Sequence, residues 1–155
     1  MLGKFIPALA GAFLAIVAFG QPAHADILIS VDKTNQRMTV SVDGAVRYEW
    51  PVSTGRAGYD TPNGTFWALA KQKDHRSKEY DDAPMPYSIF FTRSGIAVHG
   101  TKSKGLGTAA SHGCVRLSVE NAATLWDLVA TRPLYSTTVQ VNGSIPQNGQ
   151  RVAKR

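Results

Sequence analysis

The 155-residue sequence holds a single cysteine, Cys114, so no intramolecular disulfide can form and the fold must rest on burial alone. It has no apolar run of the roughly 18 to 20 residues that span a bilayer. The longest such stretch, residues 5–19, is broken by Pro7 and Gly11. No basic run alternates with aromatics, which removes the usual signature of nucleic-acid binding. No self-similar period marks a solenoid or propeller, and no Cys-x-x-Cys pair marks a closed metal site.

The apolar start reads instead as an export signal: Lys4 supplies the positive end, residues 5–19 the hydrophobic segment, and Ala23-His24-Ala25 the small residues of a cleavage site. Cleavage is expected after Ala25, which places the mature chain in the periplasm or cell envelope. The absence of a cysteine there argues against a lipid-anchored terminus. Residues 26–155 then carry 16 Lys and Arg against 11 Asp and Glu, a balance suited to ordinary solubility and compatible with an anionic envelope polymer.

From Ile27 onward the apolar period is near two. Ile27-Leu28-Ile29-Ser30-Val31 reads as a strand, residues 32–36 as a turn, and Met38-Thr39-Val40-Ser41-Val42 as its partner. Asp43-Gly44 suits a tight hairpin into a third strand over residues 45–52. Further strands are expected over residues 65–69, 87–92, 96–99 and 134–141, with residues 71–86, the most polar stretch, as a long surface excursion. One helix follows Ser118, an N-cap, and ends before Arg132-Pro133; Val119, Ala122, Ala123, Leu125, Trp126 and Val129 share its apolar side. Met85, Trp67 and Trp126 read as packing residues and His75 as a surface histidine. The expected fold is mainly β with one packed α-helix, β-sandwich-like, over residues 26–141, followed by a flexible basic tail over 142–155.

An unpaired thiol in an oxidising compartment is either buried and inert or kept for reactivity. A free cysteine, with a pKa of about 8.5, is only a few per cent thiolate at neutral pH and needs a base. His99 closes an apolar strand just before Gly100-Thr101, where a rigid sheet gives way to a loop. His112, two residues from Cys114, is a rival base. Gly113 lets the backbone approach a substrate, and the N–H groups around Gly113 and Cys114 are candidate oxyanion donors.

His99-Gly100-Thr101 followed by Ser111-His112-Gly113-Cys114-Val115-Arg116-Leu117 resembles the signature of bacterial L,D-transpeptidase catalytic domains. Ser53-Thr54-Gly55, Thr61-Pro62-Asn63-Gly64-Thr65-Phe66 and Met85-Pro86-Tyr87-Ser88-Ile89-Phe90-Phe91 resemble further family segments in the same order. The resemblance implies a cysteine peptidoglycan transpeptidase of cell-wall biogenesis. Such an enzyme attacks the L,D bond of a tetrapeptide stem, releases D-alanine and passes the acyl group to an amine, forming 3-3 cross-links or attaching an envelope protein. Carried over, Cys114 is the nucleophile, His99 the general base that later returns a proton, and Gly100 the residue whose carbonyl orients His99. His112 and Gly113 shape the oxyanion side. Arg116 holds a substrate carboxylate or pins the loop, with pairing to an acid such as Asp127 as its structural alternative; Ser111 binds substrate or bonds its own turn. Tyr87 and Thr101 are candidates for the cleft wall. No cofactor or metal is implied, and carbapenem-type inhibitors are expected to acylate the thiol.

Three other readings use the same residues. His99, His112 and Cys114 are ligand types that zinc accepts, although their spacing matches no closed structural site. The domain is otherwise a non-catalytic peptidoglycan-binding module, or an enzyme whose acceptor is water or a free D-amino acid, making it an L,D-carboxypeptidase or an exchanger.

Overall fold

The computed structural model describes residues 26–145. The export signal expected over residues 1–25 and most of the tail expected over 142–155 lie outside the described residues.

Alternation at period two builds the first sheet. In Ile27–Asp32 (β1) the side chains of Ile27, Ile29 and Val31 are buried and those between them turn outward. Arg37–Val42 (β2) repeats the pattern with Met38, Val40 and Val42. Asp43 and Gly44, at φ 53° and 78°, make the two-residue turn whose twist suits a hairpin and lead into Ala45–Pro51 (β3). Gly64–Trp67 (β4) and the last strand, Thr137–Asn142 (β9), complete the order β3-β2-β1-β9-β4, with β9 parallel to β1. Phe66 faces inward opposite Val139, so its neighbour Trp67 points out and is 64% exposed. The expectation that Trp67 serves the core is corrected by that one-residue alternation.

The second sheet is Ala70–Arg76 (β5), Pro84–Phe90 (β6), Ala97–Thr101 (β7) and Val115–Ser118 (β8), in that order. Residues 71–86, expected as a surface excursion, are therefore corrected to a strand, a seven-residue connection and the start of a second strand. Their polarity misleads because β5 is an edge strand with little buried surface, where lysines and other charges are favoured over apolar alternation. Strand β8, four residues long, is too short for any periodicity to announce it.

Val119–Ala130 (α1) lies across β6, β7 and β8. The Ser118 side chain accepts a hydrogen bond from the Asn121 N–H at 3.1 Å, Glu120 sits in the first turn where the helix dipole favours an acid, and Ala122, Leu125 and Val129 are buried. The chain leaves one sheet for the other at Ala68 and Leu69, whose N–H groups bond the carbonyls of Thr137 and Phe90 respectively. Residues 53–55 then bridge to the second sheet, with Ser53 opposite Arg116 and Gly55 beside Ser111. These bridges bind the loop after β3 to the segment that carries Cys114.

Candidate active site

Strands β7 and β8 run parallel with His99 in register with Arg116 and Val98 with Val115. Arg116 and His99 stand side by side in the β7–β8 register, and Cys114 sits in the bend just before β8. All three line one cavity of about 740 Å³. Strand β6, the end of β5 and their connection supply a second wall, including Tyr87, Asp74 and Tyr80, and Thr101 and Lys102 a third. A volume of this size suits a small-molecule or peptide ligand.

His99 is buried, at 5% exposure, and its Nδ1 lies 2.8 Å from the Gly100 carbonyl oxygen. Burial lowers the imidazole pKa from 6.5 to about 4; the Gly100 contact pulls upward, and the charges of Arg116 and His75 push further down. Cys114 is half-buried. Burial raises its thiol pKa, against a backbone hydrogen bond at Ala97 and the Arg116 charge, which lower it, while Glu79 raises it. The site thus favours the neutral form of both groups.

Gly100 does more than present a carbonyl. A side chain there would meet the Val119 Cα at 3.1 Å, the Ala122 Cβ at 3.2 Å and the Pro86 Cγ at 3.3 Å, so the helix start and β6 close tightly onto β7 at this point.

His112 lines the cavity between two tyrosines, stacked on Tyr80 with ring centres 4.3 Å apart and edge-on to Tyr59 at 4.7 Å. Partial burial there, with the Arg56 and Arg116 charges, lowers its pKa. Arg116 forms no ion pair among the described residues and does not meet Asp127 in the manner expected of a structural partner. Tyr87 carries a φ of 57°, a backbone region costly for an aromatic residue, and its ring packs between Trp126 and the Lys73 ammonium.

Two expectations are corrected. Ser111 is fully buried and does not line the cavity: its Oγ accepts the Gly113 N–H at 3.0 Å and donates to the Cys114 carbonyl, closing its own turn. The Gly113 N–H is consequently turned inward and is not an oxyanion donor. What Gly113 supplies is a φ of 115°, which only glycine adopts without strain.

Sequence reasoning missed Tyr80, Tyr59, Asp74 and Lys102. Tyr80 and Asp74 were hidden in a stretch read as solvated surface. His75, read as a surface histidine, sits edge-on to Phe90 at 5.0 Å and its charge opposes that of His99. No three His, Cys, Asp or Glu side chains among the described residues converge to hold a metal ion, so the zinc reading lacks its ligand set.

The sequence model of the YkuD family, L,D-transpeptidase catalytic domain, matches residues 26–141. L,D-transpeptidase 1 of Mycobacterium tuberculosis is 33% identical over 120 residues, covering 67% of this chain and 47% of that protein. The chain thus spans about half the length of that curated relative. Among solved structures, an L,D-transpeptidase from Stackebrandtia nassauensis superposes with a TM-score of 0.70 at 31% identity, over 83% of this chain and 60% of the other. The avibactam carbamoyl enzyme of Ldtfm superposes with a TM-score of 0.66 at 26% identity, over 77% and 49% of the two chains.

Proposed function

The chain belongs to the L,D-transpeptidase catalytic domain family, and on that premise we propose that it transfers an acyl group from the L,D bond of a peptidoglycan tetrapeptide stem to an amine through Cys114. The observation that carries this reading is that His99, at the end of β7, and Cys114, just before the neighbouring β8, line a single cavity, with the imidazole held against the Gly100 carbonyl.

The steps follow from the protonation states. Neutral His99 takes the thiol proton at Nε2 as Cys114 attacks the carbonyl of the third stem residue. The oxyanion forms against the Cys114 N–H. The carbon–nitrogen bond then breaks, the imidazolium returns its proton to the departing D-alanine nitrogen, and a thioester remains. An amine attacks the thioester, its proton passes to His99, and the thiolate leaves to be reprotonated. Arg116 lines the cavity with no carboxylate paired to it among the described residues, which supports its holding a stem carboxylate. Tyr87, Thr101 and His112 line the cavity, and His112 is assigned to the oxyanion side.

Carbapenems are expected to acylate the same thiol, in line with the carbamoyl adduct of the Ldtfm relative. The substrate polymer implies an exported protein acting in the envelope. The test is incubation with purified tetrapeptide stems and mass spectrometry of the products. Released D-alanine with a new cross-link supports the proposal; hydrolysed tripeptide assigns water as acceptor; unchanged stems overturn the enzymatic reading.

A further inference from the structure

Thr61 is fully buried, far in sequence from Cys114, in a segment the proposed chemistry does not use. Its Oγ1 accepts the Gly55 N–H at 2.9 Å and stands 2.8 Å from the Gly113 carbonyl oxygen. A hydroxyl has one proton and the Gly113 oxygen can only accept, so Thr61 donates to Gly113. Its own carbonyl accepts from the Lys33 ammonium at 2.9 Å, and that ammonium, 1% exposed, also holds both oxygens of Asp60 at 2.8 Å. Thr61 is thus anchored on one side by a buried charge and on the other grips the turn before the nucleophile.

The gripped atom is the relevant one. The Gly113 carbonyl and the Cys114 N–H belong to the same planar trans peptide, in which the two groups point in opposite directions. Pulling the carbonyl toward buried Thr61 turns the Cys114 N–H away from Thr61, and Cys114 itself lines the cavity. Ser111 fixes the flanking peptides by accepting the Gly113 N–H and donating to the Cys114 carbonyl. We propose that Thr61 is a positioning residue that aims the Cys114 N–H as the oxyanion donor, a role that rests on the acyl-transfer reading of Cys114. The Lys33–Asp60 pair holds Thr61 in place for it.

Two reactions at one sulfur separate this role from a general structural one. Acylation by a carbapenem passes through an oxyanion, whereas alkylation by iodoacetamide displaces iodide and makes none. Thr61→Val removes the hydroxyl at nearly constant volume. It should slow acylation of Cys114 by about 100-fold, the usual cost of losing an oxyanion donor, and leave alkylation unchanged. Thr61→Ser, which keeps the hydroxyl, should restore acylation. If Thr61→Val does not fold, Thr61→Ala is read in the same way, with the melting temperature recorded for each. Equal slowing of both reactions, or a serine variant as slow as valine, overturns the positioning role while the native protein still forms the adduct. A native protein that forms no carbapenem adduct overturns the acyl-transfer reading itself, and the role of Thr61 with it.

Discussion

His99 Nδ1 and the Gly100 carbonyl oxygen stand 2.8 Å apart at the end of β7, one residue reaching back to the next. A carbonyl only accepts, so the neutral ring carries its proton on Nδ1 and keeps the Nε2 lone pair free. Burial holds the imidazole near pKa 4 and pushes the Cys114 thiol up, so at neutral pH the resting pair is imidazole and thiol, not imidazolium and thiolate. Catalysis by this pair requires proton transfer during attack.

That resting state sets the pH profile. Second-order acylation of Cys114 by a carbapenem should fall on the acid side with a midpoint near 4, where His99 protonates, and stay level through neutral pH. Direct alkylation by iodoacetamide, which needs the thiolate, should instead remain slow at neutral pH and rise with a midpoint above 9.0. A preformed ion pair gives the opposite result, fast alkylation well below neutrality. His99→Gln should reduce acylation by about 10²–10⁴-fold, the usual range for a general base.

The same shift makes stability depend on pH. His99 has a lower pKa folded, about 4, than unfolded, 6.5, so the unfolded chain binds the extra proton first as pH falls. Its contribution is fully present above pH 6.5, is lost progressively between 6.5 and 4, and is constant below. The loss is on the order of 3 kcal/mol. Urea unfolding of the native protein and of His99→Gln across that window should show the difference between them shrinking as pH falls. A constant difference would mean that His99 is not held neutral by the fold.

Much of this site was legible because its chemistry is local. Cys114, His99 and Gly100 sit in short motifs, and His99 and Gly100 close a short apolar strand that is buried along its length. What escaped has a common cause: its partner lies far along the chain. Thr61 is legible as part of a family-like segment, but what its hydroxyl does depends on Gly113, 52 residues away. The buried ammonium of Lys33 looks like surface charge until Asp60 and Thr61 are folded over it. Strand β5 hides because an edge strand with exposed faces has no periodicity to read. For Ser111 the sequence left two roles open, and its hydroxyl takes the one that closes its own turn.

Tyr80 is the cavity residue that tests the wall contributed by the β5–β6 connection. Its ring stacks on His112 at 4.3 Å while remaining 39% exposed. An aromatic pair of this kind is worth about 0.5–1.5 kcal/mol. Tyr80→Ala should therefore weaken substrate use by about 2–10-fold through KM, with kcat and the melting temperature little changed, and move the His112 titration, followed by NMR, back toward 6.5. A lowered kcat at constant KM would place Tyr80 in the chemical step instead.

Gly100 offers the sharpest separation of position from identity, because its carbonyl is backbone and survives any substitution. Gly100→Ala keeps that acceptor but drives a methyl against the Val119 Cα at 3.1 Å and the Ala122 Cβ at 3.2 Å. The Val119 atom is helix backbone and cannot rotate aside, so α1 and β7 must separate at the residue that orients His99. Overpacking of this kind costs about 1–3 kcal/mol. The neighbours must give by a few tenths of an ångström, at a point where a displacement of about 1 Å already costs about 10²-fold in rate. The variant should therefore lose far more acylation than its modest drop in melting temperature implies, while iodoacetamide alkylation, which does not use His99, persists. Losses in proportion to stability alone would mean that the strand end tolerates the shift and that Gly100 matters only for packing.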